Sequence, residues 1–238
     1  MPIIQAVLFD LDDTLWPILP VIERAERKMH DWLQQHAPVV AWQFSIEALR
    51  QRRQELMTTD PVYQLDLNAL RRAGLMEAFE HTGGDPSLVD HAMQIFCNAR
   101  NEVEFFEDVL PSLSRLRRKF RLGSISNGMS DLNRIGLADV FEVSIAAHQT
   151  GCCKPDARIF RQACEMLSVA PEQAVYVGDD PHLDVLGAQR AGLRAVWLKR
   201  PELTTKPLPD DITPDAICTS LDDLHFWLEY ERAMSERQ

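Results

Sequence analysis

The stretch Ile3-Ile4-Gln5-Ala6-Val7-Leu8-Phe9-Asp10-Leu11-Asp12-Asp13-Thr14-Leu15 decides how this chain is read. Its first seven residues are apolar apart from Gln5, the composition of a short strand buried on both faces. The run then stops at Asp10, Asp12 and Asp13. A buried strand that ends in carboxylates puts charge at the crest of a sheet, and in open α/β sheets that crest is where ligands gather.

From Pro17 to Glu104 the texture changes. Apolar residues recur at helical spacing between charges: Val21, Ala25, Met29 and Trp32-Leu33, then Ile46, Leu49 and Leu56, then Leu65, Leu67, Leu70 and Leu75. Breakers fall at Pro38, Pro61 and Gly83-Gly84-Asp85-Pro86, so the block reads as four or so helices. From Phe105 onward, helix and strand alternate. Strands are expected at 121–125, 141–145, 174–177, 195–198 and 216–218, and helices at 110–119, 156–167, 183–191 and 221–234. Residues 199–214 hold four prolines and read as a loop. Such alternation implies a parallel sheet with right-handed crossovers. The expected fold is α/β: a Rossmann-like parallel-sheet core from 1–16 and 105–238, with an all-helical domain inserted at 17–104.

Composition limits the function. The chain has 238 residues, with 25 Lys and Arg against 36 Asp and Glu, a net charge of −11. An acidic balance argues against nucleic acid and against anionic membrane surfaces, which both demand a basic face. No apolar run approaches the roughly 20 residues that cross a bilayer, and the N-terminal run lacks the basic start of a signal peptide. Cys97, Cys152, Cys153, Cys164 and Cys218 are odd in number without CxxC spacing. Neither a disulfide framework nor a zinc site is expected, and a reducing cytoplasm is the expected home.

Each strand crest ends in polar groups. Asp10 and Asp12 follow the first strand, Ser126-Asn127-Gly128 the second, Lys154-Pro155-Asp156 the loop after the third, and Gly178-Asp179-Asp180 with Asp184 the fourth. Carboxylates at i and i+2 can face one pocket, one as nucleophile and the other as proton donor and acceptor. Asp179, arriving from another strand, completes a carboxylate cluster that suits a hard cation with oxygen ligands, of which Mg²⁺ is expected. Ser126 and the backbone N–H groups near Asn127 and Gly128 suit phosphate oxygens. Lys154 supplies a fixed positive charge there.

These four motifs, in this order, resemble those of the haloacid-dehalogenase-like (HAD) hydrolase superfamily, in the branch with a helical cap after the first motif. The resemblance covers nearly the whole chain and extends to Arg158-Ile159-Phe160 and to Gly187-Ala188 through Ala191-Gly192. It implies Asp10 as a nucleophile forming an aspartyl-phosphate, and Asp12 as general acid and then base. It implies Mg²⁺ held by Asp10, the backbone carbonyl of Asp12, and Asp179. Ser126, Asn127 and Lys154 would hold the phosphoryl group, with Thr14 and Asp184 in support. Phosphatases of this superfamily carry the second aspartate because an alcohol leaving group needs a proton, whereas dehalogenases usually lack it. The implied activity is hydrolysis of small phosphomonoesters. A phosphomutase, a dehalogenase, and a binding protein that has lost catalysis remain the alternatives. Leu15-Trp16 through Pro20-Val21-Ile22-Glu23-Arg24, with Gly178-Asp179-Asp180, resembles bacterial phosphatases of the riboflavin pathway, which act on flavin mononucleotide or a phosphoribitylamino-pyrimidine.

In the inserted domain, Trp32, Trp42 and Tyr63, with Trp16 beside it, could stack on a flat ring, and Arg52-Arg53 could face an anion. Each has a plainer reading as core or solvated surface. Cys152-Cys153 departs from the family pattern, either as two small packed residues or as thiols whose oxidation disturbs Lys154. His148 and His182 read as loop residues. An acidic chain that handles an anionic ester needs its sign reversed locally, and that reversal is assigned to Mg²⁺ and Lys154.

Overall fold

Six strands form one all-parallel sheet in the order β3-β2-β1-β4-β5-β6 in the computed structural model, which describes residues 2–204 and 207–235. The strands are β1 (Ala6–Phe9), β2 (Arg121–Ser126), β3 (Val143–Ala146), β4 (Ala174–Gly178), β5 (Arg194–Leu198) and β6 (Ala216–Cys218). The stretch that opened the sequence becomes a central strand. Ala6 pairs with Arg121 on one side and Ala174 on the other, and all four β1 residues are buried. A strand covered on both faces has no use for alternation, which explains its unbroken apolar run.

The chain divides into two compact units. One comprises residues 1–17, 104–128 and 136–238 and holds the sheet. On one face, Ala6, Leu8, Ile125 and Tyr176 pack with Ile159, Phe160 and Ala163 of the helix Ala157–Met166. That helix opens on Asp156, whose side chain accepts the Arg158 N–H at 2.9 Å.

The other unit comprises residues 18–103 and 129–135. Its long helices are Ile18–His36, Ile46–Leu56, Leu67–Thr82 and Val89–Arg100, joined by the shorter Pro38–Gln43 and Val62–Leu65. Ala25, Met29, Leu33, Leu49, Leu75, Phe79 and Phe96 form its core. Leu67, placed by its spacing on the apolar face, is instead 38% exposed, because Leu67 is the first residue of its helix, where Asp66 caps the N–H groups of Asn68 and Ala69. Residues 129–135, read from sequence as part of the sheet unit, group here. The Asp131 N–H donates to Asn101 Oδ1 at 2.8 Å, and Arg134 bonds Asn98.

The later strands lie within two residues of the sequence reading, while β1 starts at Ala6, three residues after the Ile3 start of the apolar run. Two one-turn helices, Leu132–Ile135 and Ala147–Thr150, were not read from the sequence. The helix expected at 183–191 is a π-helical turn, Pro181–Leu186, that passes into an α-helix, Gly187–Ala191. In the loop read at 199–214, residues 205 and 206 lie outside the described residues. Among the described residues, no helix is long and apolar enough to cross a membrane.

Gly123 in β2 shows how tightly the central strands are set. A Cβ added there would stand 2.6 Å from Leu8 Cδ2 and 3.2 Å from the Val143 carbonyl oxygen. Gly123→Ala is expected to cost about 1–3 kcal/mol by overpacking. Leu8→Ala is expected to cost about 2–5 kcal/mol by cavity formation. Because Leu8 is the nearer obstacle, the double variant should lose less than the sum of the two in urea unfolding. An additive result would mean that the backbone contact alone sets the cost.

Candidate active site

The carboxyl ends of β1, β2 and β4 and the loop after β3 carry the candidate residues, all within the sheet unit. At the centre is Lys154, whose side chain is only 3% exposed. Its Nζ lies 2.6 Å from Asp10 Oδ1, 2.7 Å from Asp184 Oδ1 and 3.1 Å from the Tyr176 hydroxyl. Tyr176 in turn donates to the Ile125 carbonyl at 3.0 Å. The Lys154 backbone is clamped from both sides by one side chain. Asn127 Nδ2 donates to the Lys154 carbonyl at 3.0 Å, and the Lys154 N–H donates to Asn127 Oδ1 at 2.8 Å. The Asn127 amide is thus spent on placing Lys154, which leaves only its main chain for a phosphate. Ser126 Oγ accepts the Gly128 N–H at 2.9 Å, so its own O–H is available to donate outward.

Asp10, Asp179 and Asp184 each offer an oxygen, and those oxygens lie within 4.8 Å of one another. Asp184 is held more firmly than its sequence position indicates. Besides Lys154, its Oδ2 accepts the Asp180 N–H at 2.9 Å. Gly178 makes room for it, since a Cβ there would stand 2.3 Å from Asp184 Oδ2. The π-helical turn is one widened turn of the kind that recurs at functional sites, and it carries Asp184. Asp180 caps the same turn through the His182 and Leu183 N–H groups. Asp180 is therefore structural, and His182 is placed by its main chain.

The first loop is equally constrained. Asp13 sits at φ 61°, in the left-handed region that aspartate tolerates. Its N–H donates to the Trp16 carbonyl at 2.8 Å, closing a tight turn. Trp16 Nε1 donates to Asp12 Oδ1 at 2.9 Å and so aims the half-buried Asp12 side chain. Thr14 Oγ1 donates to Asp179 Oδ1 at 3.3 Å, and Trp197 Nε1 to the Asp179 carbonyl at 2.8 Å. Arg200, 2% exposed, donates twice to the Thr14 carbonyl at 2.9–3.0 Å and pairs with Asp108. Tyr176, Trp197, Arg200 and Asp108 escaped the sequence reading. Tyr176 and Trp197 look like any apolar strand residue, and nothing local marks an arginine in a proline-rich loop or an aspartate before a helix as partners.

Charge crowding shifts the ionisation. Burial first, then Asp184 and Asp179 opposed by Lys154, holds the Asp10 carboxyl well above the usual carboxylate range. Burial and then Asp184 push Asp179 to about 7. Burial alone would lower Lys154, but the charges of Asp10 and Asp184 outweigh it and raise the ammonium well above its ordinary value. An all-oxygen donor set, crowded enough to hold protons near neutral pH, fits a hard divalent cation.

Most of the other sequence candidates make ordinary core or surface contacts. Trp16 is fully buried, Trp32 stacks on His36 and His91, and Trp42 is 84% exposed. Arg52 pairs with Glu55 and Glu77. Arg53 pairs with Glu26, which Arg50 and Arg71 also contact. The Cys152 thiol is buried against Thr150. Burial, then Cys152 and Asp156, pushes the Cys153 thiol up, which leaves little reactive thiolate.

The family model for haloacid dehalogenase-like hydrolases matches residues 4–192. The chain is 34% identical to 5-amino-6-(5-phospho-D-ribitylamino)uracil phosphatase YigB of Escherichia coli (strain K12), over 84% of each chain. It is 32% identical to glyceraldehyde 3-phosphate phosphatase of Methanopyrus kandleri, over 89% of this chain and 91% of that one. Among solved structures, a 2-haloacid dehalogenase from Pseudomonas syringae pv. Tomato DC3000 superposes with a TM-score of 0.87 at 38% identity. That match covers 96% of this chain and 99% of that one.

The raised carboxyls make the cation-free protein pH-sensitive. Asp179 binds its proton more tightly when folded than unfolded, so its contribution to stability is complete below about pH 4 and is lost as pH rises through about 7. In chelator, the melting temperature should fall relative to Asp179→Asn across that window. Parallel profiles for the two proteins would show that Asp179 does not carry the strain.

Proposed function

The chain belongs to the haloacid dehalogenase-like hydrolase family, and we propose that it is a Mg²⁺-dependent phosphatase of small phosphorylated metabolites. The observation that carries this reading is the pair Asp10 and Asp12. Asp10 lies 2.6 Å from a buried ammonium, and Asp12 is half-buried with its carboxylate aimed by Trp16 Nε1. A halide departs without a proton, so a dehalogenase has no use for a second, aimed carboxyl group. An alkoxide does need a proton.

Asp10 Oδ attacks phosphorus, and the P–O bond to the alcohol breaks as Asp12 delivers its proton to the leaving oxygen. Asp12, now ionised, takes a proton from water, which attacks the aspartyl-phosphate and releases inorganic phosphate with Asp10 restored. Lys154, the Ser126 hydroxyl and the Asn127 N–H hold the phosphoryl oxygens, where negative charge is concentrated. Asp10, Asp179 and the Asp12 carbonyl would hold Mg²⁺, with Asp184 beside them. Bound there, the cation favours the ionised carboxylates and offsets the charge of the phosphoryl group. Thr14 and Trp197 keep Asp179 in place. The relative named for 5-amino-6-(5-phospho-D-ribitylamino)uracil supports a phosphorylated ribityl compound as substrate, and the sequence resemblance adds flavin mononucleotide as a candidate to assay. The dehalogenase-like neighbour makes 2-haloacids the second class to assay.

Wild-type protein with Mg²⁺ should release phosphate from an aryl phosphate, and chelator should abolish the release. Asp10→Asn should lower kcat by about 10³-fold or more, the scale of removing a nucleophile. Asp12→Asn should slow poor leaving groups more than aryl leaving groups. Halide release from a 2-haloacid in place of phosphate release, or an Asp10→Asn variant as fast as wild type, overturns the reading.

A further inference from the structure

One stretch runs against the charge of the chain. Arg115-Leu116-Arg117-Arg118-Lys119-Phe120-Arg121 holds five cations and no acid, in a protein of net charge −11. It leaves the helix Val109–Leu116 and enters β2 through a tight turn in which the Lys119 and Phe120 N–H groups both donate to the Leu116 carbonyl at 2.9 Å. Phe120 is buried and anchors the turn, while Arg117, Arg118 and Lys119 are exposed. The four cations from Arg117 to Arg121 line a cavity of about 540 Å³, together with Arg232 and one acid, Glu142. Ile4 and Phe120 supply its apolar floor.

This cavity is not the site at the strand crests. Arg121 opens β2, and its N–H donates to the Gln5 carbonyl at 2.9 Å, just before β1 begins. The cavity therefore lies at the amino ends of β1 and β2, the opposite end of the strands from Asp10, the four-residue length of β1 away, about 13 Å of strand.

Ordinary surface chemistry accounts for part of the charge only. Lys119 pairs with Glu229 at 2.9 Å and Arg121 with Glu142 at 2.8 Å. The helix end is served by Arg115, which pairs with Asp222. Arg117 and Arg118 are adjacent, and among the described residues neither side chain has an ion pair or a hydrogen bond. Two neighbouring exposed guanidinium groups that line one concavity without an acid partner leave their N–H donors open to an anion. Guanidinium forks match phosphate oxygens two at a time. Cations spread along five residues match several such groups in a row better than one. The cavity volume is that of a small-molecule site, and the acidic remainder of the chain disfavours a long nucleic acid.

We propose that this groove binds a small polyphosphate, either inorganic or the tail of a nucleotide. The inference stands apart from the hydrolase reading, since it uses neither the carboxylate cluster nor a metal.

Calorimetric titration of the full chain with sodium tripolyphosphate, in buffer without divalent cations, tests it. Saturable binding at one site is expected, weakened about tenfold or more in Arg117→Glu/Arg118→Glu and on raising NaCl from about 0.05 to about 0.5 M. Ser126→Ala, at the carboxyl end of β2, should bind as wild type does. Both arginines are exposed, so the double variant should keep its circular dichroism, and Arg117→Gln/Arg118→Gln provides a milder version. ATP binding more tightly than tripolyphosphate, with the same loss in the double variant, would identify a nucleotide tail. Tripolyphosphate binding alone would identify an inorganic chain. Absence of saturable binding up to about 1 mM, equal affinity in the double variant, or loss in Ser126→Ala alone overturns the proposal.

Discussion

The ammonium of Lys154, closed off from solvent between Asp10 and Asp184, is the contact on which the rest of the candidate site depends. Charges so deeply buried carry a large desolvation cost, and only close opposite charge with satisfied hydrogen bonds repays it. Each neighbour is accordingly fixed by something else. Tyr176 is tied to Ile125, Asp184 to the Asp180 N–H, and the Lys154 backbone to Asn127. Removing one member of such a buried pair leaves a stranded charge, a loss of about 3–5 kcal/mol. The geometry is therefore rigid before any ligand arrives, which is what fixed electrostatic stabilisation of a reacting group requires.

The helical unit contains the opposite arrangement. There a single buried carboxylate, Glu26, lies among Arg50, Arg53 and Arg71, and Arg71 also rests on the Phe96 ring. Burial, then the like charge of Arg53, lowers Arg71 to about 10. The three arginines converge from two helices on a third, so the cluster fixes how those helices pack more than how stable they are.

The sheet and the crest residues were legible because each depends on local signals: an apolar run, a polar stop, a glycine, a proline. The strand at 121–125 and the carboxylates that end β1 needed nothing else. Asn127 was legible as a crest residue but not as the clamp on Lys154, because that bond joins residues 27 positions apart. Tyr176 was read only as strand filler, since period and hydrophobicity cannot say that one hydroxyl in a buried strand meets an ammonium. The π-helical turn at Pro181–Leu186 was read as ordinary α-helix because its apolar spacing is helical; the widening accompanies an Asp184 side chain held inward, a tertiary demand. The arginines of the inserted domain were visible as charges, while two of the glutamates that pair with them, Glu26 and Glu77, come from other helices.

Arg200 joins two distant parts of the chain. Its guanidinium holds the Thr14 carbonyl, 186 residues earlier, and grips Asp108, which also accepts the Leu221 N–H. The loop bearing Asp12 is therefore braced only when a residue far downstream has closed onto it. β1 likewise waits for β2 and β4, which arrive more than a hundred residues later. Such long-range closure makes folding slow relative to local helix formation, so the helical unit, built from near neighbours, can be complete while the carboxylates are still unassembled. The carboxylate cluster is thus a product of long-range closure: Asp10 meets Asp179 and Asp184 only once strands far apart in sequence have paired.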